Sequence, residues 1–171
     1  MDRARRTLAT PAGPLELRPE SAADAPFLLR LHGEDVLDML RPSGLPEAAL
    51  QNLVEMQHRA KSGAYAANFP RARADIVEIG GEAAGRLMVD EEPGRLHVVD
   101  IALLRACQGR GFGAALIGAV VQEADARNLA VRAEVLATNT ASLAMFARHG
   151  FRREGAPGDA YVAVRRDAAR S

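Results

Sequence analysis

The sequence predicts an α+β domain built around a mixed β-sheet, and two observations carry this prediction. Short apolar runs typical of strands alternate with four longer segments in which apolar residues recur at helical spacing. The resulting order is one strand, two helices, three strands, a helix, a strand, a helix and two final strands. The central strand–helix–strand unit joins parallel strands by a right-handed crossover, whereas hairpins are antiparallel, so the sheet is mixed.

Length and composition limit the classes of function. The 171 residues suffice for one domain, and 48% hydrophobic with 26% charged residues is typical of a soluble globular protein. The 22 basic and 22 acidic side chains give a net charge of zero, which argues against extensive binding of nucleic acid. The single cysteine excludes a disulfide framework, and its spacing from the histidines is not typical of zinc ligands. We expect no metal, no membrane span and no secretory signal, and hence a cytoplasmic location.

The N-terminal half is predicted to contribute a tail, a strand and two helices. Residues 1–14 are expected to form a flexible tail, and residues 15–171 a single domain. The first helix is predicted to begin behind a capping box formed by Ser21 and Asp24. The second helix is expected to end at Gly63, because glycine often terminates a helix.

The C-terminal half carries stronger signals. A Gly80-Gly81 pair predicts a hairpin between strands, and a polar turn is expected over 90–94. The most apolar run, 96–104, is predicted to be a central strand buried on both faces. The remaining predicted elements are helices at 112–127 and 140–149 and strands at 74–79, 84–89, 130–136, 151–152 and 161–164.

A glycine-rich segment stands at the junction between the most apolar strand and the third helix. It has the sequence QGRGFG over residues 108–113. Glycines let backbone N–H groups approach an anion closely, and a helix N-terminus adds unpaired donors and the positive end of its dipole. Arg110 adds a charged donor. We predict a phosphate site; the alternative is a tight turn whose glycines serve only close packing.

Two motifs in this half resemble those of the GCN5-related N-acetyltransferase (GNAT) superfamily. The pattern Q-x-x-G-x-G over 108–113 is similar to the family signature Q/R-x-x-G-x-G/A. Residues 139–146, NTASLAMF, followed by Gly150-Phe151, resemble the family's later motif, an Asn-led short helix that ends in Gly-Phe. One helix and one strand separate the two motifs, as in the family, and the resemblance covers roughly 74–166.

The resemblance implies a fold and an activity. The family's sheet splays open between two central parallel strands, here 96–104 and 130–136, and acyl-CoA lies in the gap. The implied reaction is direct transfer of acetyl from acetyl-CoA to a primary amine, on a small molecule or a peptide, without a metal. Members of the family commonly dimerise. The residues implied to bind the cofactor are Ile101, Ala102, Leu103, Gln108, Gly109, Arg110, Gly111, Phe112, Gly113, Asn139, Ser142 and Phe146.

A second interpretation of the same glycines is a dinucleotide site. The pattern G-x-G-x-x-A over 109–114 fits the dinucleotide fingerprint, and Glu134 follows near the distance at which a ribose-binding acid is expected. Against this interpretation, too little sequence follows to supply the remaining parallel strands of such a domain. Glu134 also falls within its predicted strand rather than at its end.

Acetyl transfer to an amine needs a base that takes the amine's proton, and Glu134 is the first candidate. It lies in a strand beside the proposed acyl site. The pattern E-V-L-x-x-N over 134–139 also resembles GNAT branches that acetylate α-amino groups. The alternative is a strand-surface carboxylate paired with Arg132 or Arg153.

Asp100 and His97 are further candidates for the base. Asp100 interrupts an apolar strand, where by strict alternation it shares a face with Val98 and Ala102; the alternative is a buried, hydrogen-bonded structural carboxylate. The pKa of a histidine suits a base, but His97 is expected at a solvated strand edge instead.

The residue at the position that would protonate the leaving thiolate differs from the family pattern. Many members have a tyrosine at the position of Phe146, and phenylalanine donates no proton. Either another donor or water serves, or the thiolate leaves without help. A catalytically inactive acyl-CoA-binding or protein-interaction module therefore stays open as an alternative. Cys107 adjoins the loop, and we interpret it as incidental.

The acceptor side of the site has few signals in the sequence. In the resembled family it is formed largely by the first two helices and the hairpins. Glu34, Asp35 and Asp38 lie there and would suit a cationic amine, although a solvated helix face is the favoured explanation.

Overall fold

A computed structural model describes residues 4–155 and 158–169. The strands within these ranges are β1 (Arg6–Leu8), β2 (Leu15–Pro19), β3 (Arg73–Ile79), β4 (Glu82–Glu92), β5 (Arg95–Leu103), β6 (Ala130–Leu136), β7 (Arg152–Glu154) and β8 (Tyr161–Arg166). The α-helices are α1 (Ala25–Leu40), α2 (Glu47–Asn68), α3 (Phe112–Ala126) and α4 (Thr140–Arg148). No helix in the described ranges combines the length and the hydropathy needed to cross a bilayer.

The described strands form one sheet in the order β1-β2-β3-β4-β5-β6-β8-β7. The β5–β6 pair is parallel, and the other neighbouring pairs are antiparallel. Helix α3 supplies the long connection that a parallel pair requires. The predicted α+β fold with a mixed sheet is confirmed.

The two parallel strands separate soon after they meet. Pairing runs from Arg95 opposite Ala130 to Val98 opposite Ala133. Beyond that point β5 stays with β4 and β6 stays with β8. The sheet therefore splays open between β5 and β6, as the resemblance implied.

The main core lies on the face of the sheet that α3 and α4 cover. It contains Leu96 and Val98 of β5, together with Leu116 and Ile117 of α3 and Leu143 of α4. The expectation that β5 is buried on both faces is wrong for its second half, where residues 99–103 are only partly buried. The reason is the splay, which removes the strand neighbour from that half.

A β-bulge changes the side-chain alternation along β5. Met88 of β4 lies opposite Asp100, whereas the next residue, Val89, lies opposite Val98, so Val99 is the extra residue. Val98 packs into the α3 side, and Asp100 instead meets Lys61 of α2 on the opposite face. The prediction that Asp100 and Val98 share a face is therefore wrong, because strict alternation does not survive a bulge.

The expected flexible tail is also wrong in part. Residues 6–8 form edge strand β1, in which Arg6 lies opposite Leu17. Arg5 forms ion pairs with Glu16 and Glu78, so charged side chains as well as the strand ladder hold this segment against the sheet. Residues 1–3 lie outside the described part of the chain.

Helix α2 continues past the glycine that was expected to end it. Gly63 lies inside the helix, which ends at Asn68, and Phe69 caps its end by donating its N–H to Tyr65 O over 2.8 Å. The next residue is Pro70, which cannot continue the ladder. The extra turn brings Tyr65 and Phe69 to the site described below. The hairpin at Gly80-Gly81 is confirmed, with both glycines at positive φ.

Candidate active site

The glycine-rich segment forms the turn by which the chain enters α3. Gly109 and Gly111 have φ of 70° and 86°, a region that side chains other than glycine rarely adopt. Ala115 N donates to Gly111 O over 3.0 Å, the first bond of the helix. The N–H groups of the preceding turn therefore have no partner within the helix, and they lie at the positive end of its dipole.

Two other residues of this segment have structural contacts, and a third is exposed to solvent. Gln108 Nε2 donates to Leu103 O over 2.9 Å, so this side chain secures the end of β5. A Cβ on Gly113 would lie 3.3 Å from Met145 Sδ, so this glycine permits close packing of α3 on α4. Arg110 is exposed, with its guanidinium 5.1 Å from the centre of the Phe112 ring. Its charge is accessible to a ligand at the helix end.

The open edge of β5 lies next to this turn. Residues 101–103 pair with β4 on one side only, because pairing with β6 has already ended. A Cβ on Gly85 of β4 would lie 2.4 Å from Ala102 O, closer than real contacts allow. Glycine at position 85 is therefore required for β4 to approach the strand that borders the gap.

The later motif forms the start and the core of α4. Asn139 Oδ1 accepts a hydrogen bond from Ser142 N over 3.0 Å and caps the helix. Phe146 is 1% exposed and packs edge-on against Phe151, with ring centres 5.0 Å apart. Its burial and this ring contact give Phe146 a packing role in the core.

Glu134 lies on the face of the sheet opposite α3 and α4. Its strand neighbours Ala133 and Val135 are buried in the core, whereas the Glu134 side chain is 55% exposed. Arg132 Nη2 donates to Glu134 Oε1 over 2.8 Å. Glu134 therefore forms the ion pair with Arg132 that the sequence offered as the alternative to a catalytic role. Its carboxylate is nevertheless accessible beside the gap.

Asp100 occupies the same face of the sheet, held between two cations. Its carboxylate oxygens lie 3.3 Å from Lys61 Nζ and 3.6 Å from Arg86 Nη1. Lys61 Nζ also lies 5.3 Å from the centre of the Tyr65 ring. Burial is the largest single influence and disfavours the charged ammonium, but Asp100 and Tyr65 together outweigh it and raise the pKa of Lys61. Burial also raises the pKa of Tyr65.

Sequence reasoning missed Lys61, Arg86 and Tyr65 as members of this cluster. They come from α2 and β4, and their contacts depend on the bulge in β5 and on the extra turn of α2. No local pattern in the sequence records either feature. The only available signal was that Lys61 is the single lysine of the chain.

His97 is buried rather than solvated, so the strand-edge expectation is wrong. It is 8% exposed, and its Nδ1 lies 3.2 Å from Glu92 Oε1. The Phe69 ring packs edge-on against it, with ring centres 5.3 Å apart. Burial and Arg132 lower the pKa of His97, while Glu92 and Glu134 oppose this shift.

Two of the three acidic candidates of α1, Glu34 and Asp38, are engaged within the protein, whereas Asp35 is exposed. Arg105 N donates to Glu34 Oε2 over 2.8 Å, and the Arg105 guanidinium pairs with Asp38. These contacts tie α1 to the turn after β5. An open cavity of about 580 Å³ lies beside them between α1 and α2, lined in part by Leu29, Gly33, Val54 and Arg105. No group of three His, Cys, Asp or Glu side chains in the described ranges is arranged to hold a metal.

The topology disfavours the dinucleotide interpretation. Within the described residues β5 has one parallel neighbour, β6, and Glu134 lies inside that strand with its backbone opposite Ala163 of β8. A dinucleotide domain would need further parallel strands beside these.

Comparisons with known proteins agree with this fold. Residues 37–151 match the family model described as the acetyltransferase (GNAT) family. No curated protein sequence matches the chain. The fold is similar to that of the PaiA N-acetyltransferase of Thermoplasma acidophilum in complex with coenzyme A. That match has a TM-score of 0.67 and 11% identity, and covers 90% of this chain and 98% of that one.

Two further structures have a similar fold. RimJ of Mycobacterium smegmatis, in complex with CoA-disulfide, has a TM-score of 0.66 and 24% identity over 96% of this chain and 87% of that one. RimL, a ribosomal L7/L12 alpha-N-protein acetyltransferase in complex with coenzyme A, has a TM-score of 0.64 and 18% identity over 95% and 98%. The family match spans well over half of the sequence, so the chain belongs to the acetyltransferase (GNAT) family and is an N-acetyltransferase with acetyl-CoA as its co-substrate.

Proposed function

We propose that this acetyltransferase binds acetyl-CoA in the gap between β5 and β6 and transfers its acetyl group to a primary amine. The amine approaches from the face covered by α1 and α2. The observation that carries the proposal is the end of β5–β6 pairing at Val98, directly before a free strand edge and an open helix N-terminus. Coenzyme A has an extended pantetheine arm that ends in phosphates. The arm fits the free strand edge, and the phosphates fit the helix N-terminus.

The cofactor site would use backbone groups more than side chains. The N–H groups around Gly111 and the Arg110 guanidinium would bind the pyrophosphate, and the edge at residues 101–103 would pair with the pantetheine amides. Asn139 and Ser142 cap α4 at the border of the same channel. Gln108, Gly113 and Phe146 would support this site by packing, given their contacts with Leu103, Met145 and Phe151.

The reaction would be direct attack by the neutral amine on the thioester carbonyl. The new C–N bond forms, the C–S bond breaks, and an N–H of the β5 edge stabilises the developing oxyanion. Glu134 would take the amine's proton, since its carboxylate is exposed beside the gap. We assign Asp100 an organising role, because Lys61 and Arg86 already engage it. Water would protonate the thiolate, as Phe146 is buried and has no proton to give.

The acceptor would be an α-amino group of a peptide or of a small molecule. Two observations support a peptide N-terminus: the E-V-L-x-x-N pattern of β6, and the fold similarity to RimL, whose own acceptor is an α-amino group of a protein. The protein would act in the cytoplasm, and a homodimer is compatible with the fold family. An acyl-CoA-binding module without catalysis is the second candidate, and the missing tyrosine at Phe146 is the observation that favours it.

The test is titration of acetyl-CoA by calorimetry, followed by thiol release against a panel of amines. The panel contains peptide N-termini, amino acids, polyamines and amine antibiotics. Binding with turnover supports the proposal and names the acceptor class, whereas binding without turnover on any amine favours the binding module. Absence of binding would overturn the cofactor site.

A matched pair of variants locates the phosphates. Arg110→Glu should weaken acetyl-CoA binding roughly tenfold or more, because it replaces a donor by a repelling charge. Arg59→Glu, the same change on an exposed residue of α2, should leave affinity unchanged. Equal affinities in both variants would remove Arg110 from the site.

A further inference from the structure

His97 is a titratable group on the acceptor face that the mechanism above does not use. His97 is buried under α2, and it lies one residue before the last paired position of the parallel strands. The described contacts of its ring are with Glu92 and Phe69. A histidine in such a place is expected to be either a packing element or a proton carrier.

The contact with Glu92 defines which ring nitrogen is free. With neutral imidazole, Nδ1–H donates to Glu92 Oε1 over 3.2 Å, because a carboxylate only accepts. Arg95 binds the other oxygen, Oε2, and so holds the carboxylate in position. This arrangement leaves the Nε2 lone pair as an acceptor.

The Nε2 atom is not among the fully enclosed polar atoms of the described residues. Among the described residues it has no hydrogen-bond partner, yet it is not one of the buried unpartnered side-chain atoms. His32 of α1 provides the contrast, since its Nε2 is buried and unpartnered. His97 Nε2 is therefore less enclosed than His32 Nε2, and it is the ring atom to which we assign a water molecule.

The charges around His97 suit a proton that arrives from the acceptor side. Glu92 of β4 and Glu134 of β6 favour the imidazolium, and Arg132 of β6 opposes it. Asp90 of β4 lies directly across the ladder from His97. Directly after the end of α2, the uncharged Phe69 packs against the ring. Burial lowers the pKa of His97, so the ring is neutral and able to accept a proton near pH 7.

We propose that His97, oriented by Glu92, receives through water the proton that Glu134 takes from the acceptor amine. The proton moves from the amine nitrogen to the Glu134 carboxylate, then to His97 Nε2, while Nδ1–H stays on Glu92. The imidazolium releases it to solvent after the amide has formed and the thiolate has left. Glu134 thereby returns to its carboxylate form in each turnover. His97 is a positioning and proton-carrying residue, and this inference rests on the proposed function.

The experiment is the pH dependence of kcat at saturating acetyl-CoA and amine. The wild type should lose activity as pH falls through a pKa below the 6.5 of ordinary histidine. His97→Gln should lower kcat about tenfold to a hundredfold and abolish this acidic limb. His149→Gln, which removes a histidine bound to Met145 O outside the site, should change neither quantity.

Glu92→Gln is the second variant, and it keeps the histidine in place. Because Glu92 raises the pKa of His97, its loss should move the acidic limb to lower pH and decrease kcat. Glu91→Gln is the matched control, since the neighbouring Glu91 pairs with Arg127 instead. Thermal unfolding of each variant checks that the fold is retained.

Three outcomes decide against the inference. They are an unchanged kcat in His97→Gln, a lower kcat whose acidic limb stays in place, and an unshifted limb in Glu92→Gln.

A ring-nitrogen NMR titration of the four histidines tests the same point without activity. It should show His97 protonated on Nδ1, with Nε2 titrating below pH 6.5, and the reverse tautomer would overturn the relay. If the wild type binds acetyl-CoA without turnover, the proposed function is wrong, but the NMR result still tests the inference.

Discussion

The two sides of the gap between β5 and β6 are built in different ways. On the proposed cofactor side, the available donors belong to the backbone of two short segments, 101–103 and 108–113, before and at a helix start. On the acceptor side, side chains from α2, β4, β5 and β6 meet across the sheet, among them Lys61, Glu92 and His97. The cofactor side thus depends on local conformation, and the acceptor side on the register between distant segments.

This difference has a consequence for substitutions. A change on the cofactor side acts through backbone geometry and should affect acetyl-CoA affinity. A change on the acceptor side acts through charge and proton transfer and should affect kcat or its pH dependence. The following predictions test this division.

The largest effect is expected for Glu134→Gln. The variant loses the proposed base but keeps its size, so kcat should fall about a hundredfold or more, while acetyl-CoA affinity stays within about twofold. Steady-state kinetics and calorimetry measure the two quantities. Glu154→Gln on β7 is the control for removal of an exposed carboxylate. A normal kcat in Glu134→Gln would refute Glu134 as the base.

Gly85→Ala tests the cofactor side. The new Cβ meets Ala102 O, so the open edge of β5 must shift, at a cost of about 1–3 kcal/mol in stability. Affinity for acetyl-CoA should fall with the melting temperature. Gly63→Ala is the control: its Cβ meets nothing within 4 Å inside α2, and the change should stabilise the protein by about 0.5–1 kcal/mol. Tight binding by Gly85→Ala would contradict a cofactor site on this edge.

Asp100→Asn separates an organising role from a catalytic one. Loss of the charge leaves Lys61 without its ion-pair partner, so stability should fall by about 1–2 kcal/mol. Arg86 keeps Glu20 and needs no new partner. We expect kcat to decrease less than tenfold at a temperature where the variant is folded. A loss as large as that of Glu134→Gln would make Asp100 a catalytic group instead.

The smallest effect is expected for Asp24→Asn, away from the gap. Arg18 donates to both oxygens of Asp24 and lowers the pKa of this carboxyl from 3.8 to about 2. The stabilisation is therefore present above pH 3.8 and is lost as pH falls through about 2. Unfolding of the variant should show a deficit of about 1 kcal/mol at pH 7 that disappears towards pH 2, with kcat unchanged. Asp35→Asn, an exposed carboxylate of α1, is the control.

Much of the fold followed from local patterns in the chain. The Gly80-Gly81 hairpin, the start of α3 and the capping box at Ser21 and Asp24 depend on neighbouring residues, and the structure contains all three. Edge strand β1 was missed because its pairing with β2 and its arginine contacts involve residues far away in sequence.

The sequence by itself determined the glycine-rich turn at the start of α3, where we propose that an anion binds, since such a turn needs no distant partner. Through its two motifs it also determined the family. Only the tertiary structure decided the acceptor side. The bulge at Val99 turns Asp100 towards Lys61, and the fold buries His97 against Glu92 and Phe69. The physical reason is that side-chain chemistry across a sheet depends on strand register, and a one-residue shift reverses every face.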